Sequence, residues 1–241
     1  MSKPSLPKIF SQAADGSLSA RLETERLIIR SIEAQDLKDL QELQGNETVM
    51  QFVGVGQARN PEKVEKIHSN LMSLWQKGNP IGGYIVCDKE SRTFLGMACL
   101  EDVVDKDEKT VAGAAEVMLY FKPDFWGKKY GKEVGQAFLS CIAASQQEGV
   151  PMIAGGAPLT KLVATAEPRN AGSIALQKSL GFTQGETKTT IKGGKEVQRV
   201  NFEFDLTNFL SAVKAESSPS NAVQGQSAET VVEDQKGSRP I

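Results

Sequence analysis

The sequence predicts an α/β domain whose mixed sheet is covered by helices on both faces. Three observations predict it. Segments with the two-residue alternation of strands are interleaved with segments of helical period, in the order βααβββαβαββ. Residues 117–121, Val-Met-Leu-Tyr-Phe, form a short apolar run suited to a buried strand, and a glycine-punctuated turn carries it into an amphipathic helix. Hydrophobic residues make up 39% of the 241, and with 22 glycines added this is enough for a packed core.

The elements follow in order. Residues 1–21 are rich in Ser, Pro, Gly and small residues without a period, and are expected to be a loose arm. The domain is expected to span residues 22–210. Residues 26–30 read as a strand with Leu27 and Ile29 on one face and Ile28 on the other. Residues 34–43 read as a short helix striped by Leu37, Leu40 and Leu43. Asn60 and Pro61 are suited to the N-cap and first position of a second helix, whose apolar face is Val64, Ile67, Leu71, Leu74 and Trp75. His68 falls among its polar positions and reads as a surface residue.

Residues 84–87 and 94–100 read as two strands joined by a polar turn. A charged loop, 102–109, leads into the central strand. In the helix after it, Val134, Ala137, Phe138, Cys141 and Ile142 share one face. A Gly/Pro-rich connection, 151–160, precedes a strand at 161–167, which Pro168 stops. Residues 170–180 read as a short helix closed by Gly181. Residues 187–191 and 196–206 pair around Gly193-Gly194 as a hairpin. Residues 211–241 are expected to be a disordered tail, because the chain from about Glu216 has too few large apolar residues to offset its ordering entropy.

Composition removes several functions. A net charge of −2 argues against broad electrostatic binding of nucleic acid. No apolar run approaches a membrane span and the N-terminus lacks a signal-peptide core, so no membrane partner and a cytoplasmic location are expected. The three cysteines are scattered in apolar sequence, which fits buried free thiols. With a single histidine and no close Cys partner, no metal site is expected. Histidine-dependent nucleophilic hydrolysis is set aside for the same reason. The sequence leaves the oligomeric state open.

The turn at residues 127–132, Gly-Lys-Lys-Tyr-Gly-Lys, is the chemically suggestive stretch. A strand feeding a glycine turn that opens a helix leaves backbone N–H groups aimed at one spot, and the helix dipole adds to their pull on an anion. The spacing is one residue short of a Walker loop, and Glu133 stands where that loop needs Ser or Thr. A tight connection carrying solvated lysines is the alternative reading.

Three segments, in this order, resemble a known family: Glu25-Arg26-Leu27-Ile28-Ile29-Arg30; residues 115–133; and residues 167–173 through Lys178-Ser179-Leu180-Gly181-Phe182. Together they look like the GNAT superfamily of acetyl-CoA-dependent N-acetyltransferases, in particular the RimJ/RimL-like branch. The resemblance implies the GNAT fold, a mixed, mostly antiparallel sheet with helices on both faces and a splay between the two central strands. It also implies acetyl-CoA as co-substrate and an amine acceptor, either a small molecule or a protein N-terminus.

The family's diphosphate loop, Q/R-x-x-G-x-G/A, falls on Trp126, Gly127, Lys128, Lys129, Tyr130 and Gly131, with Lys132 following. Lys129 stands where the family has its first glycine. Such a lysine either points to solvent or reaches back as a cation to the phosphate, and the second use is preferred. The resemblance further implies that the pantetheine arm lies in the splay against backbone groups of Met118, Leu119 and Tyr120, and that Asn170 contacts it. Asn170 is equally suited to cap its helix.

Acetyl transfer to an amine needs a base, a donor to the carbonyl oxygen and a donor to the leaving thiolate. Glu116 matches a family glutamate and is the candidate base, acting through water; a hydrogen bond to a neighbouring strand is its other reading. Ser173 resembles the serine of the RimL-like branch and is the candidate donor to the thiolate; bonding local backbone is its other reading. Gln177 occupies the place where many relatives have tyrosine. Lys129 and Gln177 leave a second reading standing, a GNAT-like domain that binds CoA or a protein without transfer.

Overall fold

In the computed structural model, which describes residues 8–105, 107–192 and 194–217, the sheet begins inside the segment expected to be a loose arm. Strand β1 (Phe10–Gln12) pairs antiparallel with β2 (Leu18–Glu23), and β2 pairs with β3 (Leu27–Ser31). The reason is a two-residue alternation. Leu18, Ala20 and Leu22 point inward while Ser19, Arg21 and Glu23 point out. Phe10 is 1% exposed, a burial that contributes roughly 1.5–3 kcal/mol and fixes the first strand. The loose arm expected over residues 1–21 is thus replaced by strands from Phe10 on, and residues 1–7 lie outside the described residues.

The sheet continues through β4 (Gly83–Asp88), β5 (Phe94–Val104) and β6 (Thr110–Phe121), all antiparallel. The charged loop expected at 102–109 is instead the end of a long β5–β6 hairpin. Beyond β6 lie β9 (Lys161–Ala166), β11 (Lys195–Asp205) and β10 (Thr183–Lys192), giving the order β1-β2-β3-β4-β5-β6-β9-β11-β10. The β6–β9 pair is parallel; the other neighbours run antiparallel. A two-stranded ribbon, β7 (Ile153–Ala154) with β8 (Ala157–Pro158), sits in the Gly/Pro-rich connection.

Helices cover the sheet as expected. On one face lie α1 (Leu37–Gln44), preceded by a 3-10 turn at Ala34–Asp36, the short α2 (Glu47–Met50) and α3 (Pro61–Gln76). Asn60 caps α3 by accepting from the Lys63 N–H at 3.0 Å. On the other face lie α4 (Tyr130–Gln147) and α5 (Ala171–Ser179). Tyr84 is fully buried on this side, its ring 4.8 Å from that of Phe138 on α4. His68 is not a surface residue. It is 5% exposed, and its Nε2 lies 2.9 Å from the Glu33 carbonyl oxygen.

The domain also extends past its expected end. After β11 the chain turns into α6 (Leu206–Ser217), where Leu206 and Leu210 are buried and Phe209 packs on Phe204. The tail expected from residue 211 is thus helical to Ser217. Residues 218–241 lie outside the described residues. Among the described residues, no helix is long and apolar enough to cross a membrane.

Candidate active site

The site is built where β6 and β9 part. Their parallel ladder pairs Ala114 with Lys161, Ala115 with Leu162 and Glu116 with Val163, and stops there. β6 runs on to Phe121 and β9 to Ala166, so a gap opens between them. Which β6 groups face it follows from the register. The Lys122 N–H bonds the Leu95 carbonyl, and β6 keeps one unbroken register with β5 from Ala115 to Phe121. The pleat then turns the backbone groups of Glu116, Met118 and Tyr120 toward β5, and those of Leu119 and Phe121 toward the gap. Of the three positions expected to bond a ligand arm through their backbone, only Leu119 presents N–H and C=O there. Met118 and Tyr120 send side chains to the α1/α3 face, where the Tyr120 hydroxyl lies 3.4 Å from the Met118 sulfur.

At the end of β6 the chain makes the anion-type turn. A 3-10 turn at Pro123–Phe125 leads to Trp126, whose indole N–H bonds back to the Phe121 carbonyl at 2.8 Å. Gly127 has φ +73°, a left-handed conformation that glycine adopts freely. Lys129 has φ +65° and ψ +11°, also left-handed, although it carries a Cβ. The position where the resemblance expects glycine therefore keeps a glycine-like backbone and bears the strain. Tyr130 and Gly131 open α4, so their N–H groups have no acceptor within the helix. Gly131 also permits close packing: a Cβ there would lie 3.0 Å from Leu176 Cδ2 on α5. Lys128, Lys129 and Lys132 are exposed. Lys129 and Lys132 line a groove of about 800 Å³ that lies between α4 and the β2–β3 turn.

The loop has an anchor that sequence reading missed. Glu133, in the first turn of α4, accepts from Arg26 Nη2 at 2.6 Å, from Arg26 Nε at 2.8 Å and from the Arg26 backbone N–H at 3.1 Å. Thr24 donates to the same carboxylate. Arg26 Nη1 donates to the Lys128 carbonyl at 3.1 Å, and its guanidinium lies 4.4 Å from the Tyr130 ring centre. Burial pushes the Glu133 carboxyl up, but the hydrogen bonds from Thr24 and Arg26 outweigh it and hold it below the ordinary carboxylate value. Arg26 and Glu133 each lie inside a matching segment, but nothing local pairs two residues 107 positions apart.

Glu116 stands at the apex of the gap, as the last paired residue. Its Oε1 accepts from Thr165 Oγ1 at 2.8 Å, the cross-strand bond that was its other reading. Glu101 lies directly opposite it on β5. On the same face the Arg59 guanidinium sits 5.9 Å from the Tyr120 ring centre and bonds Gln44. Burial raises the Tyr120 hydroxyl and, well above its ordinary value, the Cys99 thiol, so both are neutral donors at neutral pH.

Asn170 caps α5, its Oδ1 accepting from the Ser173 N–H at 3.0 Å. Ser173 and Gln177 are one turn apart and share a face of α5. Ser173 is half-buried; Gln177 is 5% exposed, and its Oε1 is buried without a partner. Together these features accommodate a long anionic thioester: amides and lysines at a helix start for a diphosphate, and a gap lined by the free backbone of Leu119 for an extended arm. The two strands are not paired beyond Glu116 and Val163.

This geometry, a parallel pair that parts beside an amide-lined turn within an otherwise antiparallel sheet, defines an acyl-CoA-using transferase fold. The acetyltransferase (GNAT) domain model matches residues 26–183, and the chain belongs to that family. It is therefore an acyltransferase of the acetyl-CoA-dependent N-acetyltransferase class. Solved structures agree in fold. A GNAT-family acetyltransferase from Bacillus anthracis superposes with a TM-score of 0.59 at 18% identity, covering 78% of this chain and 99% of that one. The spermidine N-acetyltransferase from Vibrio cholerae, in complex with CoA and spermine, gives 0.57 at 15% identity over 78% and 99%. The ribosomal-protein-S5-alanine acetyltransferase from Vibrio fischeri gives 0.57 at 16% over 77% and 96%. Comparison with curated protein sequences finds no significant match.

Proposed function

We propose that the protein transfers acetyl from acetyl-CoA to a primary amine by direct attack in a ternary complex, and that it belongs to the RimJ/RimL-like branch. The observation that carries the proposal is the free backbone of Leu119 in the gap, beside the open first turn of α4. Bound acetyl-CoA supplies an activated acyl group; the chain's own residues do the rest. The Tyr130 and Gly131 amides, with Lys128, Lys129 and Lys132 around them, hold the diphosphate. The Leu119 N–H polarises the acyl carbonyl. Glu116 takes the amine proton through water, held in place by Thr165. Ser173 offers the leaving sulfur a hydrogen bond.

The acceptor is an amine presented on the α1/α3 face, where the Glu116 carboxylate stands. A groove of about 650 Å³ lies along β9, β11 and β10, lined by Asn201, Glu203 and Asp205 among others. Relatives of this fold include enzymes named for spermidine and for a ribosomal-protein alanine, so a small polyamine and a protein N-terminus are the two acceptors to try first. Thiol release from acetyl-CoA, measured across a panel of polyamines and N-terminal peptides, tests the reading. Amine-dependent release supports transfer. Calorimetric binding of CoA with no release by any amine supports the binding-module reading, which the departures at Lys129 and Gln177 favour. No binding at all refutes both.

A further inference from the structure

We infer that Arg26 is a positioning residue that holds Lys129 in its left-handed conformation and so keeps the turn at residues 127–131 ready for a diphosphate. The inference rests on the reading of that turn as the diphosphate site.

The backbone at Lys129 is strained. A residue with a Cβ prefers the right-handed or extended backbone over the left-handed one, where Lys129 sits at φ +65°. Left alone, the turn spends most of its time elsewhere, and the Tyr130 and Gly131 amides lose their common aim. Something must over-determine the conformation. Arg26 touches both sides of Lys129. Before it, Nη1 holds the Lys128 carbonyl at 3.1 Å. After it, the guanidinium faces the Tyr130 ring at 4.4 Å, and Nε and Nη2 grip Glu133 at 2.8 and 2.6 Å. The Lys128 carbonyl, the Tyr130 ring and the Glu133 carboxylate are thus fixed to one planar group. Arg26 is in turn fixed by its own place before β3, where its backbone N–H also bonds Glu133. The guanidinium suits the task because its donors fork in one plane while its face stacks on an aromatic ring. A lysine ends in a compact ammonium with no planar fork to match the carboxylate and no face to stack on the ring.

The test is CoA binding by calorimetry on four full-length proteins: wild type, Arg26→Gln, Lys129→Gly and the double variant. Acetyl-CoA KM and kcat are measured alongside with an amine that supports turnover. Glycine takes the left-handed conformation without penalty, so a positioning role makes the two substitutions non-additive. We expect Arg26→Gln to weaken CoA about tenfold in the wild-type background and by less than about threefold in the Lys129→Gly background. KM for acetyl-CoA should rise with it while kcat changes little. Arg26→Lys should not rescue. If Arg26→Gln weakens CoA by the same factor in both backgrounds, or leaves it unchanged in a folded protein, the positioning role is wrong while the diphosphate site stands. If wild type binds no CoA, the diphosphate reading falls and the positioning role with it. Should Arg26→Gln fail to fold, Glu133→Gln, which removes the other half of the grip, is run through the same cycle with the same two outcomes.

Discussion

Thr165 Oγ1 donates a 2.8 Å hydrogen bond to Glu116 Oε1 across the point where β6 and β9 stop pairing. The bond bridges two strands that diverge immediately afterward. It therefore fixes the carboxylate at the apex of the gap. The proposed base chemistry uses the second carboxylate oxygen, acting through water.

Glu116→Gln should lower kcat by about a hundredfold or more, the range of a lost general base, and leave CoA affinity within about twofold. Thr165→Val should lower kcat only about three- to tenfold, the worth of one orienting hydrogen bond. Steady-state kinetics with CoA calorimetry on both variants separates the roles. An unchanged kcat in Glu116→Gln removes this residue from the chemistry.

Ser173→Ala should reduce kcat about three- to tenfold, because a serine helps a thiolate by a hydrogen bond more than by proton transfer. A loss about a hundred times larger would mean that it carries the proton itself. Single-turnover thiol release measures this directly.

Asn170 has a structural duty that can be separated from any ligand contact. Asn170→Ala should destabilise the fold by about 1 kcal/mol through loss of the N-cap. Asn170→Asp keeps an oxygen for the Ser173 N–H and should keep the stability. It loses the amide donor and adds a negative charge, so a cofactor contact at this residue predicts weaker CoA binding in Asn170→Asp despite unchanged stability. Denaturant unfolding and calorimetry give the two readouts.

The Glu133 contacts predict a pH dependence. Its carboxyl is held below the ordinary value of 4.5 in the folded chain. A depressed carboxylate stabilises the fold fully above its unfolded value, and that contribution is lost as pH falls through the folded value. Glu133→Gln lacks the titration. The stability difference between wild type and variant should hold from neutral pH to about 5, then shrink below 4.5. A constant difference down to about pH 3 in chemical unfolding would contradict the stated hydrogen-bond balance.

Gly135→Ala should destabilise by about 1–3 kcal/mol, because a Cβ there would overlap the Leu180 methyl groups where α4 packs on α5. Thermal unfolding is the measurement, and an unshifted midpoint would show that Leu180 can move aside freely.

Much of this was legible in one dimension, because local rules act over a few residues. Asn60 and Pro61 mark the start of α3, and Gly181 has the left-handed φ of +87° that its place after α5 requires. The apolar period of residues 134–142 found the buried face of α4. The alternation at Leu18, Ala20 and Leu22 was equally local and was masked by the small residues around it. His68 was misplaced although the helical period puts it on the buried face with Val64, Leu71 and Trp75; what no local rule supplies is the Glu33 carbonyl that meets its ring nitrogen.

What the sequence determined, then, was the order of the main elements between residues 26 and 206, the glycine turn before α4 and the family-like residues on it, each set by contacts within one turn or one strand. Only the tertiary structure decided that β6 and β9 part after Glu116, that the pleat gives Leu119 rather than Met118 or Tyr120 to the gap, and that Arg26 reaches Glu133 across 107 positions. These are matters of register and of long-range pairing. A shift of one residue along a strand reverses which groups face a neighbour, and no local preference records it.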